Sequence, residues 1–136
     1  VLRLLARIDE ITAVRVQAAA RIAKALSEVG TLTVIDPLPG SEPVYLRLPC
    51  LAAGTSQRDG LIDALVDAGI GATGSFPRAL GDLPDIADHI SIERGVMRGA
   101  RDVAARMVTL PTIAYLRDAD IHRLVGALRA TSSPEA

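Results

Sequence analysis

Aromatic side chains make up only 2% of this 136-residue chain: there is no tryptophan, Phe76 is the one phenylalanine, and Tyr45 and Tyr115 are the two tyrosines. The core must therefore come from Leu, Val, Ile and Ala. Hydrophobic residues reach 49%, so disorder is not the default and one domain with a real core is expected. Cys50 is the single cysteine, which excludes an internal disulfide and suits a reducing, cytoplasmic setting. One Cys and two His cannot make a Cys-rich structural zinc site, and no carboxylates gather into another kind, so no metal is expected. The net charge of −1 gives no electrostatic reason to bind nucleic acid or an anionic membrane. No apolar run approaches the roughly 20 residues that span a bilayer, and no basic–apolar–small-residue leader is visible. The chain opens on Val rather than Met, which suits a piece trimmed or cut from something longer.

What is present is strong periodicity. Over residues 2–29, Leu4, Ile8, Ile11, Ala18, Ile22, Leu26 and Val29 recur near a step of 3.6, which predicts one long helix stopped by Gly30. The β-branched run "TLTVID", Thr31 to Asp36, predicts a strand, and "PLPGSEP", Pro37 to Pro43, a loop. "VYLRLPC", Val44 to Cys50, predicts a second strand, with Pro49 pushing its end toward a sheet edge. A second helix is expected behind Ser56 as N-cap with Asp59 three residues on; Leu61, Ile62, Leu65 and Val66 form its buried stripe.

The stretch "GIGATG", Gly69 to Gly74, spells a dinucleotide-binding G-x-G-x-x-G. That fingerprint needs a strand before it and a helix after it. Here a helix precedes it and Ser75-Phe76-Pro77 follows. The glycines read better as a helix stop at Gly69, with Ile70 packing back, and then a strand passing close to other backbone. After an irregular stretch with a short turn of helix beyond Asp82, a third helix is expected from about Arg94 to Met107. Met97, Ala100, Ala104 and Met107 lie on one side of it, and Arg94, Arg98 and Arg101 on another. "VTLPTIAY" is extended because Pro111 disfavours helix before it. A last helix is expected behind Asp118 as cap, with Ile121, Leu124, Val125 and Leu128 inward, then a flexible tail over 131–136. These segments predict an α+β fold: a small, largely antiparallel sheet with helices packed on one face, preceded by a long helix.

Arginine is abundant, with Lys24 the one lysine among 15 basic residues. Arg suits planar contacts to phosphate or carboxylate. The Arg94, Arg98, Arg101 face reads more simply as solvated and paired with Glu93 and Asp102. Arg47, inside an apolar strand, faces either a ligand or the polar side of a sheet. His89 and His122 read as surface residues. Lys24 points away from its helix's apolar stripe, without the desolvation that an imine-forming lysine needs.

Taken in order, "LLARIDEITAVRVQAAARIAKALSEV", "PVYLRLPCL", "RDGLIDALVDAGIGATGSFPRAL" and "ARMVTLPTIAYLRDADIHRLVGAL" resemble the C-terminal small domain of DegT/DnrJ-type sugar aminotransferases. The sharpest parts are the helix ending at Gly69-Ile70, then Phe76-Pro77, then Leu110-Pro111-Thr112 before an acid-capped helix. The resemblance implies the small-domain fold of aspartate-aminotransferase-type enzymes over residues 1–130. It also implies transamination of a keto-sugar nucleotide with pyridoxal phosphate in the complete enzyme. The cofactor lysine and phosphate-binding groups belong to a large domain upstream, so no cofactor is expected on this chain alone, and the chain alone should not transaminate. Phe76 and Arg78, with Arg47, are the candidates for lining the substrate mouth. Gly81 stands where many members carry a histidine. The implied partners are the large domain, in the same gene or as a separate chain, and further copies in a homo-oligomer. A sugar dehydratase of the same family, and a non-catalytic oligomerisation module, are the rival readings. At about 42 Å, a 28-residue helix is longer than so small a domain needs, which leaves apolar surface for a partner to cover.

Overall fold

The computed structural model describes residues 5–87, 89 and 97–132. Among these residues eight elements follow one another: α1 (Ile8–Val29), β1 (Leu32–Val34), β2 (Arg47–Ala52), α2 (Thr55–Asp67), α3 (Pro84–Ala87), α4 (Arg98–Arg106), β3 (Met107–Pro111) and α5 (Asp118–Ser132). A 3₁₀ turn over Leu80–Asp82 precedes α3, where the sequence predicts a short turn of helix. The three strands form one antiparallel sheet in the order β1-β2-β3. This is the α+β arrangement expected.

Strand β2 alternates strictly: Leu48, Cys50 and Ala52 are buried, and Arg47, Pro49 and Leu51 are half-buried. The buried set meets Val108 and Leu110 of β3, Ile22 and Leu26 of α1, Leu61 and Leu65 of α2, and Leu124 and Leu128 of α5. With no aromatic in this cluster's buried set, alanines such as Ala19, Ala52 and Ala72 let helices and strands approach closely. Among the described residues no buried side-chain nitrogen or oxygen lacks a partner. The expected stripes of α1, α2 and α5 hold at Ile22, Leu26, Leu61, Leu65, Leu124 and Leu128, but Ile8 and Val66, expected on the stripes of α1 and α2, are exposed.

Helix ends follow local chemistry, with exceptions. Gly30 adopts φ 76 and donates its N–H to the Leu26 carbonyl, closing α1 as expected. At the end of α2, Gly69 (φ 75) donates to Val66 and Ile70 donates to Leu65, which is the paired bonding of a Schellman stop. Ser56 is not the cap of α2. The helix starts at Thr55 behind Gly54, whose extended backbone offers its carbonyl to the N–H groups of Gln57 and Arg58, while Asp59 pairs with Arg58. Helix α5 begins at Asp118, so Arg117 occupies the cap position; Asp118 instead binds Arg21 of α1 at 2.6 Å.

The strands depart further from expectation. Val44 and Leu46 are exposed and Tyr45 takes φ 49, a left-handed conformation that breaks extension, so β2 begins at Arg47 and runs on to Ala52. Pro49 lies in the central strand, not at an edge. It faces Thr109 of β3, whose own N–H and C=O bond the opposite way, to Thr73; on the other side the Pro49 carbonyl accepts from Ile35, just past the end of β1. The missing N–H of proline therefore falls where β1 has already ended. The third strand is Met107–Pro111. The segment after Gly69 forms a single bridge, Thr73 to Thr109, and Gly74 approaches the Arg58 side chain rather than backbone. Helix α4 starts at Arg98; Arg94 and Glu93 lie outside the described residues. Met107 opens β3, and Ala100 is exposed rather than turned inward. Thr131 and Ser132 continue α5 into the stretch marked by composition as tail, whose remainder, 133–136, lies outside the described residues.

Two outcomes test this core. Leu110→Ala should cost about 2–5 kcal/mol in urea unfolding because Leu110 is fully buried, whereas Gly69→Ala should cost about 1–2 kcal/mol through its left-handed backbone alone. Burial pushes the Cys50 thiol up to about 12, so a thiol reagent at pH 8 should label it only at the rate of unfolding.

Candidate functional site

Among the described residues, hydrogen-bonded polar side chains gather at two places that bear on the site. One lies on the sheet face opposite the core and centres on the Thr109 hydroxyl. Arg47 donates from Nε to Thr109 Oγ1 at 2.8 Å, and from Nη2 to the carbonyls of Thr109 (2.8 Å) and Gly71. Thr73 Oγ1 and Ser75 Oγ lie 3.1 and 2.9 Å from the same Thr109 oxygen. Desolvation lowers the Arg47 pKa from its ordinary value; these hydrogen bonds go to a hydroxyl and two carbonyls rather than to a carboxylate.

From this node the chain turns sharply outward. Ser75 takes φ 56, and the Phe76 N–H bonds to the Gly74 carbonyl at 2.6 Å. A positive φ under an i-to-i+2 hydrogen bond is the uncommon, strained kind of γ-turn. Phe76 follows, 61% exposed, and Arg78 is exposed two residues on. The far side of this run is latched by Asp82, whose carboxylate receives Arg101 Nε at 2.9 Å and Nη2 at 2.7 Å. The hydrogen bonds from Arg101 hold the Asp82 carboxyl below its usual range, and Arg78 adds a weaker pull. Arg101 thus reaches across to the loop rather than to Asp102, which pairs with Arg106. The three sequence candidates converge on one segment by different routes: Phe76 and Arg78 stand on it, and Arg47 holds it from beneath.

The second place is a pocket of about 380 Å³ between Gly69–Gly71 and the start of α5. Ile22, Ile70, Leu110 and Leu124 are among its apolar walls, and Tyr115, Arg117, Asp120 and Arg123 bring polar groups to its lining. Asp120 accepts the Arg117 backbone N–H at 2.9 Å and Arg123 Nη2 at 2.5 Å. The backbone bond from Arg117, then the bonds from the Arg123 and Arg117 side chains, take its pKa from 3.8 to about 2. Neither Thr109 nor Asp120 stood out in the sequence. The Asp three residues beyond Arg117 matches half of a capping box, a signal that could have singled it out. A lone threonine within "MVTLP" carried no signal.

The remaining candidates stay at the surface. His89 and His122 are exposed. Lys24 is exposed on α1, beside a shallow open groove that Glu28, His122 and Arg129 also line. That setting does not fit a desolvated, imine-forming lysine. Among the described residues no group of three or more His, Cys, Asp or Glu could hold a metal ion.

A model of the DegT/DnrJ/EryC1/StrS aminotransferase family matches residues 1–129. The chain belongs to that family. No curated protein matches it. Solved structures agree on the fold. The family's aminotransferase from Brucella abortus superimposes with a TM-score of 0.79 at 23% identity, over 95% of this chain and 33% of that one. S. venezuelae DesV, solved in complex with a ketimine intermediate, gives 0.82 at 22% identity, over 98% and 36%. The aminotransferase TlmJ from Streptoalloteichus hindustanus gives 0.75 at 28%, over 93% and 33%. The chain thus spans about a third of the length of the structures it matches. As a DegT/DnrJ/EryC1/StrS member it has Gly81 where the resemblance implies a histidine. A Cβ there would stand 2.8 Å from Met97 Cε, so Met97 occupies the space a side chain would enter.

The Asp120 clamp predicts a pH dependence with a definite sign. Its folded pKa is depressed, so its contribution is complete above 3.8 and disappears as pH falls through about 2. Urea midpoints measured between pH 5 and pH 2 should therefore fall less steeply for Asp120→Asn than for the native chain.

Proposed function

We propose that this chain is the small domain, residues 1–130 with a short tail over 131–136, of a pyridoxal-phosphate-dependent aminotransferase acting on a keto-sugar nucleotide. The observation that carries this reading is the coverage: the family match runs over residues 1–129, yet the chain spans a third of the matched structures. The missing two thirds supply the cofactor. Pyridoxal phosphate, when bound there, provides the electron sink for amino transfer. Lys24 does not fit as its anchor, so this chain contributes no cofactor lysine.

Uncovered apolar surface supports a larger companion. Leu5, Ile8 and Val16 stand exposed on or beside the N-terminal half of α1. Tyr115 is 84% exposed, and Ile113 and Leu46 are also exposed. Each exposed Å² removed from water returns roughly 25 cal/mol. In this reading Phe76 offers an apolar face to the substrate and Arg78 a planar cation for phosphate. The complete enzyme is a cytoplasmic homo-oligomer, a dimer, in which the reduced Cys50 stays inside the core.

The test is complementation. Mixed with the cofactor-bearing domain, the chain should change the visible absorbance of bound pyridoxal phosphate and restore amino transfer from glutamate to a keto-sugar nucleotide; neither part should do so alone. Ile8→Asp should weaken association at least about tenfold, about 1.4 kcal/mol, without lowering the chain's own melting temperature. A chain that transaminates unaided, or that binds no such domain, overturns the proposal.

A further inference from the structure

We propose that Arg47 and Thr109 are positioning residues: their hydrogen-bonded cradle holds Ser75 in its strained turn and so fixes the direction in which Phe76 and Arg78 are presented. Its value for catalysis rests on the substrate-mouth reading above; the cradle itself does not.

Backbone strain marks the turn. A non-glycine residue at φ 56 is uncommon, and such conformations cost of order 1–3 kcal/mol and persist only where their surroundings over-determine them. Ser75 is exposed, so core packing does not force it there. What meets it is the Thr109 hydroxyl at 2.9 Å. That hydroxyl is in turn fixed from three directions: Arg47 Nε donates to it, Thr73 Oγ1 approaches it, and it lies 3.2 Å from the Thr73 carbonyl. A threonine hydroxyl has one hydrogen and two lone pairs, three sites for the four groups around it, so it is fully engaged, with the Ser75 and Thr73 hydroxyls sharing the lone pair that Arg47 leaves.

Arg47 does more than orient Thr109. Its Nη2 ties the Gly71 carbonyl to the Thr109 carbonyl, and the Thr73 and Thr109 backbones exchange bonds at 2.7 and 3.1 Å. Residues 71, 73 and 75 are therefore each fastened to β3 or to the guanidinium that lies on it. A planar fork with several donors is needed for this; a lysine ammonium offers the charge without the geometry. The half-buried cation is solvated by hydroxyl and carbonyl oxygens, which leaves Arg78, not Arg47, as the exposed cation of the loop.

The chain contains no tryptophan, so Phe76→Trp installs a single indole reporter at an exposed position. In that background Thr109→Val, Arg47→Lys and Ser75→Ala each cut the cradle at a different link. The steady-state anisotropy of the indole should fall, and its quenching by acrylamide should rise about twofold, in all three. Ser75→Ala changes only an exposed hydroxyl and should keep its melting temperature within a few degrees, so it decides the matter if a strand variant unfolds. Reporters as restrained as in the parent, in variants that remain folded, overturn the cradle. In the complemented enzyme Ser75→Ala should raise KM for a keto-sugar nucleotide about tenfold at nearly unchanged kcat. A loosened indole with unmoved KM supports the cradle and overturns the substrate-mouth reading instead.

Discussion

The register of β2 against β3 is the constraint on which the rest depends. Arg47 faces Pro111, Pro49 faces Thr109 and Leu51 faces Met107, while Leu48 faces Leu110 and Cys50 faces Val108. This one alignment sends Leu48, Cys50, Val108 and Leu110 into the core and puts Arg47 and Thr109 together on the other face. Strand side chains alternate with a period of two, so a slip by one residue would bury Arg47 and expose Leu48. The core and the polar cradle are two consequences of the same pairing. Neither can be re-registered without losing the other.

That coupling explains how so small a sheet presents a defined loop. Strand β1 has three residues and β3 has five. A sheet this size offers little rigidity by its ladder alone. The buried face adds α1, α2 and α5, whose leucines and isoleucines close over Cys50 and Val108. The opposite face adds directed bonds in place of apolar burial. The Gly69 stop sits between the two: it ends α2 with Leu65 and Ile70 in the core and releases the chain toward Arg47 two residues later.

Much of this was legible in the sequence because it is local. A glycine at the end of an apolar stripe specifies a left-handed stop whatever surrounds it, and Gly30 and Gly69 both obey. Periodicity likewise located the inner residues of α1, α2 and α5. The strand limits were less legible, because Val44 and Leu46 are as apolar as Leu48 and only the backbone reversal at Tyr45 excludes them. Charge partners were illegible for a different reason. Arg101 lies one residue from Asp102 and nineteen from Asp82, yet neighbours along a helix do not face each other and the fold brings Asp82 within 2.7 Å. Thr109 shows the limit most clearly: its importance comes from four groups on two other segments, none of which marks it in the sequence.

Helix α1 is packed unevenly along its length. Its buried residues, Ala18, Ala19, Ile22, Ala25 and Leu26, all lie from its midpoint onward. The first half has Asp9 and Glu10 to complement the helix dipole and an Arg7–Glu10 pair exposed to solvent. Isolated helices of about ten residues are marginal in water, so this half takes its order by propagation from the packed half behind it. Burying Ile8 against a larger domain would then do two things at once. It would remove apolar surface from water, and it would stabilise the turns of helix that carry that surface. Association with such a domain and local folding at this end would then be one equilibrium, coupled through the exposed apolar side chains of Leu5, Ile8 and Val16.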